Sequence, residues 1–159
     1  MGNGLSRREE LYVKKIRDGT VIDHIAPGHA LDVLRILGIN GKEGIIVSIA
    51  MNVSSKKLGT KDIVKIEGRQ IAPEQLDKIA LIAPNATINL VKDYDLIKKE
   101  KVQLPETITG MVRCANPACI SNSREPVASK FKVENSHPLS IRCRFCGRTM
   151  EKDDVLRQF

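Results

Sequence analysis

The sequence predicts an α+β protein: a β-α-β-β-α-β module with one added strand, followed by a small β module held by a metal ion. Two observations lead there. Short β-branched stretches alternate with helix-periodic ones before Pro105, and all four cysteines fall after it. Composition allows a core, because 42% of the 159 residues are apolar. With three Phe, two Tyr and no Trp, that core is aliphatic. A charged fraction of 28% argues against disorder.

The elements follow in order. "GTVIDHI" (19–25) is short and β-branched, hence a strand. In "GHALDVLRILG", Leu31, Leu34 and Leu37 recur at helical spacing, and Gly38 is placed to stop the helix. "GIIVSIAMN" puts Ile45, Val47, Ile49 and Met51 on one side of a strand. "VSSKKLGT" is expected as a loop. "KDIVKIE" is the next strand, with Val64 and Ile66 on one face and Ile63 and Lys65 on the other. "APEQLDKIALIAP" is a helix: Pro73 suits its first turn, Leu76, Ile79, Ala80 and Ala83 form its apolar face, and Pro84 ends it. "ATINLVK" is a strand, and Tyr94 to Val102 supply another. This order is the split-βαβ, ferredoxin-like pattern, with both helices on one face of an antiparallel sheet. The division expected is residues 1–104 and residues 105–159, joined near "QLPET". The uncovered sheet face invites a second copy of the chain.

The tail reads Cys114-x₄-Cys119, 23 residues, then Cys143-x₂-Cys146. Two short turns can aim four thiolates at the corners of a tetrahedron, which matches Zn²⁺. Iron in an S₄ site and four unrelated buried thiols are the alternatives. Four protein ligands leave no open position, so the metal's role is structural. A tail of some 55 residues builds too little core to stand alone, roughly speaking, without such a staple.

The net charge of +7 drops to about +5 once four thiolates and a divalent ion are counted. The charge is spread. Residues 1–104 hold 17 Lys and Arg against 13 Asp and Glu, and residues 105–159 hold 9 against 6. No basic stripe interleaves with aromatics, so nucleic acid is not the favoured partner. The polar start "MGNGLSRREELYVKK" lacks an apolar leader and no run is long enough to span a membrane, so a cytoplasmic chain with reduced cysteines is expected. His24, His29 and His137 form no catalytic constellation, and no nucleotide-loop or nucleophile-elbow motif is present.

"GTVIDHI", "KDIVKIE", "IALIAPNATIN" and the cysteine pattern occur in this order over nearly the whole chain. Together they resemble the regulatory chain of aspartate carbamoyltransferase, an enzyme of pyrimidine biosynthesis. The resemblance implies a non-catalytic subunit. Its N-terminal module would bind CTP, ATP and UTP as allosteric effectors and pair with a second copy. Its zinc module would grip the catalytic chain, in an assembly of two catalytic trimers and three regulatory dimers.

Residue by residue, the resemblance implies Ile16 and Val21 around the base and Asn89 and Tyr94 lining base and sugar, with Val91 and Leu96 as pocket wall. It implies Asp23 near the ribose, His24 and Lys99 near the phosphates, and Lys65 reaching ribose and phosphate; beyond these assignments, Lys61 is a further candidate partner for the phosphates. Cys114, Cys119, Cys143 and Cys146 would hold the zinc. The chain departs from the family pattern at Ala118, where an Asn is frequent, and at Phe145, where a Tyr is. It also has extra N-terminal residues, where some members bind a second nucleotide. The alternative class is a zinc-ribbon protein that binds nucleic acid or transcription machinery.

Overall fold

The computed structural model describes residues 15–125 and 127–159. The polar N-terminal stretch and the expectation of a second nucleotide there lie outside these residues.

Strand β1 (Gly19–Ile25) is followed by helix α1 (Ala30–Ile36), the hairpin β2 (Val47–Ser55) and β3 (Gly59–Glu67), helix α2 (Pro73–Ile82), and the hairpin β4 (Thr87–Lys92) and β5 (Asp95–Lys101). The sheet order is β2-β3-β1-β4-β5, with every pairing antiparallel. This is the split-βαβ arrangement with its added edge strand. A second sheet, β6-β7-β8-β9, comprises β6 (Thr107–Thr109), β7 (Lys130–Ser136), β8 (Leu139–Cys143) and β9 (Thr149–Glu151). Helix α3 (Lys152–Leu156) follows it.

Helix α1 buries Ala30, Val33 and Leu34, and Leu37 beyond its end, the i, i+3, i+4, i+7 face of a helix. Leu31 falls off that face and is 55% exposed, against the expectation that placed it with Leu34 and Leu37. Gly38 ends the helix as expected. It sits at φ +67°, its N–H bonds Arg35 O at 3.0 Å, and Ile39 N–H bonds Leu34 O at 2.9 Å, the paired bonds of a Schellman cap. At α2, Pro73 opens the first turn and Gln75 Oε1 accepts the Ala72 N–H at 3.3 Å. Its buried residues are Ile79, Ala80, Leu81 and Ile82, with Leu76 half-buried against them.

The expected loop over "VSSKKLGT" is instead mostly strand. β2 runs to Ser55 and β3 begins at Gly59, leaving a three-residue turn at 56–58. On β2, Ile49 and Met51 are exposed, because this is a sheet edge with no neighbour beyond it.

One residue fixes the top of this module. Asp62 is fully buried. Its Oδ2 accepts N–H groups from Gly28 at 2.9 Å and Ala30 at 3.0 Å, and its Oδ1 accepts the Asn52 N–H at 2.9 Å. The carboxylate thereby satisfies the start of α1 and holds the bulge of β2, where Asn52 takes φ +58°.

One apolar cluster runs through both sheets. It includes Ile22, Val64, Ile66 and Ile79 from the first module, Val102 at the join, and Ile108, Phe131, Ile141, Met150 and Val155 from the second. Polar bonds also cross. Arg35 donates to Leu156 O at 3.3 Å and Phe159 O at 2.8 Å, and Lys152 Nζ lies 3.3 Å from His29 Nε2.

Candidate functional sites

The helices cover one face of the first sheet, and the other face carries a cleft of about 240 Å³. Strand register decides what lines it. Val21 pairs with Lys65 on β3 and Asn89 on β4, and Asn89 pairs with Lys99 on β5. Directly paired residues share a face, so Lys65, Val21, Asn89 and Lys99 form one row across four strands. One way along the strands, two residues on from Val21 and Asn89 and three from Lys99 across the β5 bulge, Gly19, Val91 and Leu96 form an apolar row. Two residues the other way, Asp23, Thr87 and Lys101 form a polar one. The rows are about 7 Å apart. The cleft therefore has an apolar end and a cationic end.

Ile16, Val21, Asp23, Lys65, Asn89, Val91, Tyr94 and Leu96 line this cleft. His24 and Lys99 lie beside its cationic end, where the charges of Lys99, Lys57 and Lys61 act on His24. Eight of the ten positions assigned from the family resemblance line this cleft; of the other two, Lys99 pairs with Asn89 and His24 follows Asp23 in the chain. Lys15 and Ile63 also line the cleft and were not among them. Ile63 was readable from strand alternation, since it shares a face with Lys65.

Two local distortions shape the ends. The two-residue turn between β4 and β5 puts both Asp93 (φ +50°) and Tyr94 (φ +66°) in the left-handed region. Such backbone is strained for a bulky residue. It is held by Asp18 Oδ1, which accepts the Asp93 N–H at 3.0 Å, and by Arg17 O, which accepts the Tyr94 N–H at 2.9 Å. The Tyr94 ring is left 61% exposed at the mouth of the apolar end.

At the other end β1 bulges, and His24 takes φ +56°. Regular alternation would send Asp23 and His24 to opposite faces. The bulge instead leaves His24 Nδ1 only 3.8 Å from Asp23 Oδ1, while that oxygen accepts the His24 N–H at 2.6 Å.

The electrostatics suit an anion with a polar body. Lys65 is 6% exposed, and burial pushes its ammonium below the usual lysine range against the pull of Asp23. Burial likewise lowers His24, with Asp23 opposing and the lysines adding to the effect. Lys61 Nζ grips Asp23 Oδ1 at 2.9 Å. Two buried atoms, His24 Nδ1 and Asn89 Oδ1, have no hydrogen-bond partner among the described residues. Buried polar atoms are rarely left so, and Asn89 belongs to the cleft lining.

The second site is the cysteine cluster. Its four sulfurs lie within 4.8 Å of one another. Cys114 Sγ is 3.5 Å from Cys146 Sγ, and Cys119 Sγ is 3.6 Å from Cys143 Sγ. A tetrahedron with metal–sulfur bonds of ~2.3 Å has edges of about 3.8 Å, so the donor set fits a tetrahedral ion. Disulfide bonds need ~2.05 Å and are excluded by the same distances.

The turns that aim the sulfurs are themselves fixed. Asn122 Nδ2 donates to Cys114 O and to Asn116 O, both at 2.8 Å, and Asn116 Oδ1 accepts the Ala118 N–H at 3.0 Å. In the second turn Gly147, at φ +76°, donates to Cys143 O at 3.0 Å. Asn122 as the clamp was not legible from spacing. Thiols crowded this closely cannot all ionise without a cation. Burial pushes Cys114 up to about 12, while the Arg148 backbone N–H holds Cys146 down to about 6. A divalent ion among them removes that conflict.

No helix among the described residues is long and apolar enough to cross a membrane.

Comparison with known proteins gives concordant results. The family described as aspartate carbamoyltransferase regulatory chain, allosteric domain, matches residues 11–103. The family described as aspartate carbamoyltransferase regulatory chain, metal binding domain, matches residues 106–156. A regulatory chain of that enzyme from Hyperthermus butylicus is 52% identical over 149 residues, covering 93% of both chains. One from Methanothrix thermoacetophila is 55% identical over 141 residues, covering 89% of this chain and 92% of its own. One from Saccharolobus solfataricus is 50% identical over 153 residues, 96% of each.

Proposed function

The chain belongs to the family of aspartate carbamoyltransferase regulatory chains, and from that premise we propose that its open sheet face binds nucleoside triphosphates and its cysteine module links catalytic trimers. As a regulatory chain it is the non-catalytic subunit of its enzyme, with an allosteric and a metal-binding domain.

The observation that carries the nucleotide reading is the polarity of the cleft. Its apolar row and Ile16 receive a base, with Tyr94 at the mouth. Asp23, Lys65 and Asn89 receive the sugar and first phosphate, and His24 and Lys99 the rest. Ammonium groups are compact cations suited to phosphate, and the unpartnered Asn89 Oδ1 accepts a hydroxyl or amino hydrogen. CTP, ATP and UTP are the effectors this reading names.

The metal reading is Zn²⁺, one ion per chain, held by Cys114, Cys119, Cys143 and Cys146 in a purely structural role. We divide the functions at residues 1–104 and 105–159. The surface around the metal turns exposes Ile120 and Phe145, apolar groups available to the catalytic chain. A homodimer forms through the first sheet. Both of its edges expose apolar side chains, Ile49 and Met51 on β2 with Ile46 just before it, and Leu96 and Ile97 on β5, while β5 also carries Lys98, Lys99 and Lys101, which guard an edge. Three such dimers join two catalytic trimers. The setting is the cytoplasm, and neither membrane nor nucleic acid is a partner.

Effector binding shifts the assembly only if it differs in strength between two quaternary states, typically by about 1–3 kcal/mol. The continuous core through Val102, Leu104 and Ile108 is the medium available for that coupling.

The test is isothermal titration of CTP and ATP into the chain and into Lys65→Ala. The variant should bind both nucleotides at least about tenfold more weakly, for the loss of one charge-assisted contact, while still assembling with the catalytic trimer. Unchanged nucleotide binding in the variant would remove Lys65 from the site and the cleft from this role.

A further inference from the structure

We propose that the segment following α3 is a strap that retains the metal from across the module boundary, with Gln158 and Arg35 as its two positioning residues. The inference rests on the metal reading of the cysteine cluster and adds residues which that reading does not use.

Arg113 stands between β6 and the first metal turn, next to Cys114, and belongs to no strand. Its backbone is paired nonetheless. Gln158 Oε1 accepts the Arg113 N–H at 2.7 Å, and Gln158 Nε2 donates to Arg113 O at 2.7 Å. One side-chain amide thus makes the double bond pattern that a neighbouring strand would make. Upstream, Val112 O is fixed by the buried Ser129 hydroxyl. Downstream, Asn122 closes the turn on itself through Cys114 O and Asn116 O, and the Ala115 N–H ends on a weak acceptor, Met150 Sδ at 3.3 Å. Without Gln158 the turn can swing about Val112 as one piece and carry Cys114 and Cys119 with it.

The turn is also open to water at this point. A cleft of about 340 Å³ is lined by Cys114, Pro117, Asn122 and Gln158, and a groove of about 470 Å³ shares Arg113, Asn122 and Gln158. A competing ligand for the metal arrives beside Gln158, so what slows the exchange is the closure of the turn.

The other end of the strap lies in the first module. Arg35, on the last turn of α1, donates from Nη2 to Phe159 O at 2.8 Å and to Leu156 O at 3.3 Å. The Lys78 ammonium on α2 stands 5.8 Å from the centre of the Phe159 ring. Residues 156–159 are therefore gripped by both helices of one module while Gln158 grips the metal turn of the other. If Arg35 lets go, the segment can follow the turn outward and the Gln158 bonds no longer resist its opening.

The experiment loads the full chain with Zn²⁺ and follows its transfer to an excess of a chromophoric chelator by absorbance. Gln158→Leu keeps the bulk of the side chain and loses both bonds, and should release zinc about tenfold faster. Arg35→Leu, in the other module, should release it about threefold faster, and Arg35→Lys, which keeps a charged donor, should restore most of the difference. Arg157→Leu, on the same segment but paired with Asp154 at 3.5 Å, should leave the rate unchanged. Arg35, Arg157 and Gln158 are exposed, so the variants keep their fold. Amide protection of β7 and β8 in the zinc-loaded variants should match that of the unsubstituted chain, which a general loosening of the module would not allow. An unchanged release rate in Gln158→Leu or in Arg35→Leu overturns the strap, and so does faster release accompanied by lost protection in β7 and β8. If the unsubstituted chain takes up no zinc, the metal reading fails and the strap with it.

Discussion

Replacing Asp62 with alanine should destabilise the chain by about 3–5 kcal/mol, the range for breaking a buried, fully engaged charge arrangement. The figure follows from the partners. Asp62 is fully buried and accepts three backbone N–H groups, from Gly28, Ala30 and Asn52, at 2.9 to 3.0 Å. An N–H left without a partner in the interior costs about 1–3 kcal/mol. Ala30 is fully buried and bears that cost in full, whereas Gly28 and Asn52 are exposed residues whose N–H groups water can reach. One full loss, two partial losses and the void left by the carboxylate reach the stated range. Asp62→Asn keeps the shape and one acceptor, and should lose about half as much. Urea denaturation of the full chain, followed by far-UV circular dichroism, reads the midpoint at unchanged slope. A loss below about 1 kcal/mol for the alanine variant would refute the claim that this carboxylate holds α1 and the β2 bulge together.

Two further outcomes follow from the sites. His24 should titrate below the ordinary histidine value of about 6.5, because burial disfavours its charged form and Lys61, Lys57 and Lys99 add to that. With the folded pKa below the unfolded one, stability from this group is present above about 6.5 and is lost as pH falls through the folded value. Binding a triphosphate should move the midpoint up. Proton NMR of the imidazole checks both, and a midpoint at or above 6.5 in the free chain, or no rise with CTP, contradicts the described environment. Removal of the metal should abolish amide protection in β6 to β9, because structural zinc supplies on the order of 10 kcal/mol of folding energy. It should leave β1 to β5 protected. Hydrogen exchange with and without a chelator reads this directly, and unchanged protection in β6 to β9 would contradict a structural role for the ion.

The parts of this fold that were legible in the sequence are those set by local chemistry. Gly38 as a left-handed stop, Pro73 as a helix start and the β-branched runs of β1, β3 and β4 each carry their signal within a few residues. The paired cysteines do too, because metal geometry restricts ligand spacing. What was not legible depends on bonds between distant segments. The bulge that rotates His24 toward Asp23 belongs to the pairing of β1 with β3, and the bulge at Asn52 is held by Asp62 ten residues on. A lone acid between Lys61 and an apolar strand, "KDIVKIE", was the available sign that Asp62 is engaged. Leu31 was misplaced because a spacing of three fits two helix faces. The full set Ala30, Val33, Leu34 and Leu37 separates them. As for the cleft, its residues are scattered from Ile16 to Lys99, and no periodicity links them. Family resemblance named them, and strand register explains why they meet.

The account turns on a chain whose metal-shaped module joins it to catalytic trimers so that a nucleotide bound elsewhere can be felt there. Sedimentation velocity of this chain mixed with aspartate carbamoyltransferase catalytic trimers, before and after zinc removal, tests it most directly. The zinc-loaded mixture should run as one large species of two trimers and three dimers, and the zinc-stripped mixture as separate trimers and regulatory chains. A large species that survives zinc removal, or none with zinc present, would contradict it.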